Sequence, residues 1–159
     1  MSETQYPTEV ISLPSQGKVY PSDNPLSRGE IEIKYMTAKE EEILASQNLI
    51  KKGVVLDKLF ESIIVDKKIN PDDIIIGDKN AIMLATRILG YGKDYQIEVQ
   101  DEFDEKQKIT LDLTQIQTKE IDHSLLNPDN RYEFTTPVGG NVLEFRILTH
   151  GDEKKIDTD

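Results

Sequence analysis

The hydrophobic period of this chain changes from helical to strand-like at residues 90–92, and this change limits the folds open to it. In the predicted helices between residues 37 and 90, apolar side chains recur every three to four positions, which is typical of helices packed on a core. After them, apolar and polar side chains alternate, which is typical of strands with one covered face. Helices followed by a run of strands predict an α+β domain.

The first 28 residues are rich in turn formers, and we predict an extended arm over residues 1–28. No long helix fits between its prolines, which are Pro7, Pro14, Pro21 and Pro25. The arm is predicted to wrap over the core or over a neighbouring protein. Its candidate partner contacts are five exposed apolar side chains, namely Ile11, Leu13, Val19, Tyr20 and Leu26. A place in the chain's own core is the alternative for these side chains.

A single α+β domain is predicted over residues 29–150. It begins with a strand, because Ile31, Ile33 and Tyr35 alternate with charged side chains. About three helices follow, over residues 37–52, 54–66 and 78–90. The domain then continues in antiparallel hairpins, which brings its predicted strands to four or five.

Local signals mark the predicted helix ends. Thr37 and Glu40 have the spacing of a capping box, and Gly53 ends the helix that they begin. Asp78 is predicted to cap the third helix. The apolar run at residues 74–76 is predicted to be core, with a contact surface as the alternative.

Two hairpins and a tail complete the predicted fold. Residues 95–99 and 109–113 alternate on either side of a long acidic connection, and residues 132–134 and 143–147 flank a glycine-containing turn. The polar residues 151–159 are predicted to form a disordered tail.

Charge and composition narrow the classes of partner. Thirty acidic against 19 basic side chains give a net charge of −11, which repels phosphate backbones and anionic lipid. We therefore predict no nucleic-acid and no membrane partner. Solubility is the simplest reason for the charge, and a basic protein partner or DNA mimicry are the alternatives. The absence of cysteine fits a reducing compartment, and no secretory signal or membrane-spanning stretch is evident.

The sequence predicts no catalytic, cofactor or metal site and no small-molecule substrate. Its two histidines, His123 and His150, stand in polar segments and are predicted to be exposed. The glycines at 90–92 follow a helix, whereas a phosphate loop precedes one. The acidic residues 101–105 lack the spacing of a calcium-binding loop. A pair of carboxylates of the glycosidase type stays an open alternative. What defines such a pair is the distance between the two groups in the fold, which the sequence does not give.

Four blocks of sequence carry a family resemblance. The first, residues 13–21, reads Leu-Pro-Ser-Gln-Gly-Lys-Val-Tyr-Pro, and the others lie within residues 31–44, 78–99 and 134–151. In this order they resemble the baseplate hub and tail-assembly proteins of T-even-like tailed phages. The resemblance implies a non-enzymatic structural or assembly component of a contractile tail baseplate. Its partners would be other phage tail or baseplate proteins.

The resemblance also implies a location and leaves alternatives. The protein would occupy the host cytoplasm during assembly and then the baseplate of the virion tail. The first alternative is a tail-assembly chaperone that is absent from the mature virion. The second is an acidic ligand-binding or enzyme domain, and a third is an acidic inhibitor that mimics DNA.

Two departures from the family pattern accompany the resemblance. Family members carry a cysteine pair with zinc-ribbon spacing just after the position of Val99, where this chain has residues 100–104 without a thiol. The hairpin is therefore expected to hold by strand pairing and packing alone. Members also continue into a further helical portion, so this chain is expected to be shorter or to represent their first domain.

Overall fold

The computed structural model describes residues 6–158, so residues 1–5 of the predicted arm and Asp159 of the predicted tail lie outside the described residues. Within this range, five α-helices and six strands are present, and the strands pair in three two-stranded antiparallel sheets. The predicted α+β class is confirmed.

Along the chain, two strands are followed by four helices, four strands and one last helix. They are β1 (Thr8–Ser12), β2 (Glu30–Lys34), α1 (Ala38–Ala45), α2 (Gln47–Lys52), α3 (Val55–Ile63), α4 (Ile76–Tyr91), β3 (Asp94–Gln100), β4 (Lys106–Asp112), β5 (Tyr132–Thr135), β6 (Val142–Phe145) and α5 (His150–Thr158). None of the helices within residues 6–158 combines the length and the apolarity needed to cross a bilayer.

The hydrophobic core is built almost entirely by residues that precede Gly92. Its fully buried side chains include Ile33 of β2, Phe60 of α3 and Ile82 of α4. Ile74 and Ile75 are also buried, so the core assignment of that apolar run is confirmed for these two residues. Beyond Gly92, Leu113 and His150 are the only buried residues in the described part of the chain.

The N-terminal segment packs into this core and is not an extended arm. β1 pairs with β2 along its whole length. Of the two predictions for the apolar side chains of the segment, exposure is wrong and a place in the chain's own core is confirmed. Leu13, Val19, Tyr20 and Leu26 are 2, 3, 4 and 0 % exposed, and Ile11 is half-buried against them. The prolines prevent a helix but not folding back, and burial of each such side chain gains about 1.5–3 kcal/mol. A partner contact through these side chains stays a prediction, and it would require the segment to leave the core.

The predicted first helix is interrupted at Ser46. The capping box is confirmed, because the Glu40 carboxylate accepts hydrogen bonds from the Thr37 backbone N–H (2.8 Å) and hydroxyl (2.5 Å). Gly53 ends α2 in the left-handed region, as predicted. Ser46 has extended backbone angles and caps α2 instead of continuing α1. Serine side chains compete with helical backbone bonding in this way.

Asp78 does not cap α4. The helix begins at Ile76, so Asp78 lies in its first turn with its side chain fully buried. An N-cap side chain would instead precede the helix and bond to its own backbone. The buried partners of Asp78 come from the N-terminal segment.

The predicted disordered tail forms helix α5. The Asp152 carboxylate accepts hydrogen bonds from the Thr149 backbone N–H (3.0 Å) and hydroxyl (3.1 Å), so these residues fix the first turn. The His150 N–H donates to the carbonyl of Ile74 (2.8 Å), which joins α5 to the core. The Thr-x-x-Asp spacing was the available signal for this helix start.

Candidate protein-interaction surface

The hairpin formed by β3 and β4 presents an apolar face to solvent. Strand pairing places Tyr95 opposite Leu111 and Ile97 opposite Ile109, so the four side chains share one face. Tyr95, Ile109 and Leu111 are each about two-fifths exposed. The predicted first hairpin is confirmed, with a connection of only residues 101–105 between its strands.

The hairpin formed by β5 and β6 is more exposed still. Tyr132 pairs with Phe145 and Phe134 with Leu143, which puts two phenylalanines and a leucine on one face. These three side chains are each more than half exposed, and Val142 on the opposite face is 61 % exposed. This second predicted hairpin is also confirmed, and both of its faces meet solvent.

Neither hairpin packs extensively on another helix or strand of the described chain. The Arg87 guanidinium lies 4.4 Å from the ring centre of Tyr91 and 5.3 Å from that of Tyr95, and this stack joins β3 to the end of α4. An isolated two-stranded hairpin is marginally stable in water. Contiguous exposed apolar surface is characteristic of interaction sites, so the two hairpins form the candidate interaction surface.

Hydrogen exchange of the isolated protein is expected to separate the two hairpins from the core. Amides of β3–β4 and β5–β6 should exchange at least about a hundredfold faster than those of α3 and the middle of α4, because few buried contacts resist their local opening. Mass-spectrometric exchange on peptides from these segments measures the ratio. Equal protection of hairpins and core would contradict the assignment of the hairpins as uncovered surface.

The negative charge of the chain is concentrated in the part that carries the hairpins. Residues 93–149 contain 12 acidic and 6 basic side chains, a formal charge of −6. Residues 6–92 contain 13 acidic and 11 basic side chains, a formal charge of −2. The exposed apolar faces therefore lie within an acidic surface.

The residues of the Leu13–Pro21 motif hold the fold together around a buried carboxylate. Asp78 accepts hydrogen bonds from the Ser15 backbone N–H (3.0 Å), the Ser15 hydroxyl (2.6 Å) and the Tyr20 hydroxyl (2.7 Å). The Tyr20 oxygen also accepts from the Ile75 N–H (3.1 Å). We call Ser15, Tyr20 and Asp78 the clasp, because they tie the N-terminal segment to α4.

The electrostatics of the clasp suit a structural role. Burial raises the pKa of the Tyr20 hydroxyl well above its usual range, and the neighbouring Asp78 charge raises it further. Tyr20 therefore keeps its proton, and its hydroxyl donates a hydrogen bond to the Asp78 carboxylate. The position of Asp78 in the first turn of α4 also favours a negative charge, since the N-terminal end of a helix carries partial positive charge.

A second buried carboxylate, Glu40, ties α1 to α3. Besides its bonds from Thr37, it accepts a hydrogen bond from the Ser62 hydroxyl. Burial raises the pKa of Glu40, but the hydrogen bonds from Ser62 and Thr37 outweigh burial and lower the pKa to about 2. The folded state therefore stabilises the ionised form of Glu40.

Acid titration is expected to reveal this carboxylate. Because the folded pKa lies below the ordinary value of 4.5, Glu40 stabilises the fold above about pH 4.5, and that contribution is lost as pH falls toward 2. Chemical denaturation at several pH values should show a shallower acid loss of stability in Glu40→Gln than in the wild type. Glu42→Gln, an exposed neighbour on the same helix, is the matched control and should follow the wild type.

Charged side chains also hold α5 in place. Asp57 Oδ1 accepts from His150 Nε2 (2.9 Å) and lies 3.1 Å from Lys154 Nζ, which is 2.6 Å from Asp72 Oδ1. Metal-ligating atoms of Asp57, Asp72 and His150 lie within 4.8 Å of one another. The Lys154 ammonium, however, already supplies the positive charge between the two carboxylates, so the cluster is best explained as the attachment of α5.

Both histidines make structural contacts, and the prediction that they are exposed is wrong. His150 is 4 % exposed and lies edge-on against Phe60. His123 is half-buried, and its Nε2 lies 2.8 Å from the Pro14 carbonyl oxygen. The prediction was based on the polar residues that adjoin each histidine in the sequence. In the fold, however, each ring packs against a residue that is distant in the chain.

An open groove runs between the N-terminal segment and the loop at residues 128–131. Its charged lining mixes both signs and includes Asp23, Asp73 and Asp129 together with Lys68 and Arg131. Neither histidine lines it. These groups can bind polar partners, but the lining offers no nucleophile paired with a histidine base.

The fold thus defines a class of small α+β protein with a well-packed N-terminal core and uncovered hairpins. The T4 bacteriophage base plate protein family matches residues 6–130. The chain belongs to this family, as the resemblance predicted, and the match includes the clasp and the β3–β4 hairpin. Membership places it with the baseplate of a phage tail. No curated protein and no solved structure matches the chain.

The predicted contact residues of the N-terminal segment are not the apolar side chains that the isolated chain exposes. The five side chains of the N-terminal segment are wholly or partly buried, whereas Phe134, Leu143 and Phe145 are open to solvent. The sequence does contain a signal for the exposed apolar side chains of the hairpins. Both hairpins alternate apolar and polar residues, and the helix that follows them, α5, attaches to the core through His150.

Proposed function

We propose that this protein is a structural or assembly component of a contractile tail baseplate, associated with the hub, and that it acts through protein–protein contacts without catalysis. Family membership supports the baseplate setting. The observation that carries the mode of action is the exposure of apolar faces on both hairpins within an acidic surface. Apolar faces in contact with water are unfavourable in free energy, and a partner that covers them removes this penalty.

The contacts of the titratable groups support a role without catalysis. Glu40, Asp57, Asp78 and His150 are each bound to structural partners inside the chain. A general base must instead reach the proton that it removes from a substrate. Partners are proposed to be other tail or baseplate proteins, with no nucleic acid, membrane or small-molecule substrate.

The proposal is tested in the phage that encodes the chain. Interrupting its gene should abolish or strongly reduce complete baseplates and contractile tails in infected cells, counted by electron microscopy, and expression of the wild-type chain should restore them. A normal yield of tails without the protein would refute the proposal.

Mass spectrometry of purified virions distinguishes the two roles within the baseplate setting. A structural component remains in the virion at a fixed ratio to other tail proteins. An assembly chaperone is present in the host cytoplasm with incomplete baseplates but absent from finished particles. The exposed hairpins suit both roles, since both require a partner to cover them.

A further inference from the structure

The β5–β6 hairpin carries a charge arrangement that disfavours the free protein. Glu133 and Glu144 stand directly opposite each other across the two strands. Like charges in this position destabilise a strand pair. Glu144 lies 3.7 Å from Arg131, an exposed pair of little energetic value, and Glu133 makes no ion pair among the described residues.

The other face of the same hairpin is suited to docking. Phe134 and Phe145 are each 53 % exposed and Leu143 is 52 % exposed. A phenylalanine side chain buries about 150–250 Å² when covered, so each of the two rings leaves roughly 100 Å² in contact with water. Clustered aromatic anchors of this kind dominate the binding energy of protein interfaces.

The negative charge around the β5–β6 hairpin determines which kind of partner can cover it. A second copy of this chain would bring another surface of formal charge −6 against residues 93–149 and would add no cation to Glu133, or to Glu144 beyond its exposed Arg131. A basic protein would neutralise the glutamate pair while its apolar residues covered the aromatic face. Electrostatic complementarity of this kind also speeds association.

We propose that the β5–β6 hairpin inserts into an apolar cleft of a basic baseplate protein, which places a lysine or arginine against Glu133 and Glu144 and apolar side chains against Phe134, Leu143 and Phe145. The proposal rests on the proposed baseplate function and names the chemistry of the partner. The hairpin would be contacted on both faces, which explains why both are open to solvent in the isolated chain.

Binding measurements with purified proteins test the inference. The probes are the other baseplate proteins of the same phage, added singly and as an equimolar mixture to the full chain. The pair Phe134→Ser and Phe145→Ser should weaken binding of the basic partner at least about a hundredfold. The pair Glu133→Gln and Glu144→Gln should weaken binding about tenfold and flatten its dependence on salt.

Two matched controls keep the effects specific. Phe103→Ser removes another strongly exposed phenylalanine, at the turn of the other hairpin, and should leave binding unchanged. Glu102→Gln with Glu105→Gln removes the same charge as the glutamate pair and should have an effect below about twofold. The Glu133→Gln and Glu144→Gln variant should also be at least as stable to heat as the wild type, since it loses a repulsion.

Each outcome decides between explanations. Binding that ignores all hairpin substitutions would overturn the inference and leave the baseplate function standing. A partner that binds through the hairpin without salt dependence would overturn the basic chemistry. Self-association of the wild type that the phenylalanine substitutions abolish would assign the surface to a second copy and also overturn it. Failure of every baseplate protein to bind would overturn both the inference and the proposed function.

Discussion

Replacement of Asp78 by alanine is expected to lower the free energy of unfolding by about 4 kcal/mol, enough to unfold a marginally stable domain. The carboxylate is fully buried and is the acceptor for the Ser15 N–H, the Ser15 hydroxyl and the Tyr20 hydroxyl. Alanine leaves these donors without their partner and leaves a cavity beside α4. Denaturant-induced unfolding followed by circular dichroism measures the change.

Two further variants keep this prediction decisive if Asp78→Ala does not fold. Tyr20→Phe removes one donor to Asp78 and should cost about 1–2 kcal/mol. Asp157→Ala, at an exposed position of α5, should change stability by less than about 0.5 kcal/mol. Wild-type stability in Tyr20→Phe would show that the clasp does not hold the N-terminal segment.

Replacement of Gly17 by alanine is expected to cost about 3 kcal/mol. Gly17 has a φ of +76°, in the region that favours glycine, and a Cβ built on it would lie 2.6 Å from the backbone nitrogen of Gly29. The clash is with backbone, so a side-chain movement cannot relieve it. Thermal unfolding of the variant should show a markedly lower Tm.

Gly53→Ala separates backbone strain from the clash. Gly53 has a similar φ of +69°, but a Cβ there meets nothing within 4 Å. Its substitution should therefore cost only about 1 kcal/mol, the strain of the left-handed conformation. Equal losses for the two variants would mean that the close approach of Gly17 to Gly29 contributes nothing.

The elements governed by local chemistry were predictable from the sequence. The Thr37–Glu40 capping box, the end of α2 at Gly53 and the two C-terminal hairpins all follow from spacing and periodicity. In each case the determining residues are within a few positions of each other or belong to one hairpin. Such signals need no knowledge of the rest of the fold.

The elements governed by distant residues were not predictable in the same way. Asp78 has the sequence position of a helix cap, but its partners Ser15 and Tyr20 are about 60 residues away and draw it into the core. The N-terminal segment reads as an arm because its prolines exclude a helix, while its burial depends on a surface formed by later helices. His150 reads as exposed for the same reason, although Asp57 and Phe60 enclose it.

We therefore propose different roles for the two halves of the chain. The motif that carries much of the family resemblance stabilises the fold, whereas the apolar surface available to partners lies on the hairpins after Gly92. Substitutions in the clasp should abolish assembly by unfolding the protein. Substitutions on the hairpin faces should abolish it while the protein stays folded.

Sedimentation of lysates from infected cells tests the central claim most directly. The wild-type chain should sediment with baseplate intermediates during assembly, and the folded Phe134→Ser and Phe145→Ser variant should remain at the top of the gradient with free proteins of about 18.1 kDa. Quantitative immunoblotting across the gradient gives the fractions. Recovery of the wild-type chain only as the free protein, at every stage of infection, would contradict the claim that it works by contact with other baseplate proteins.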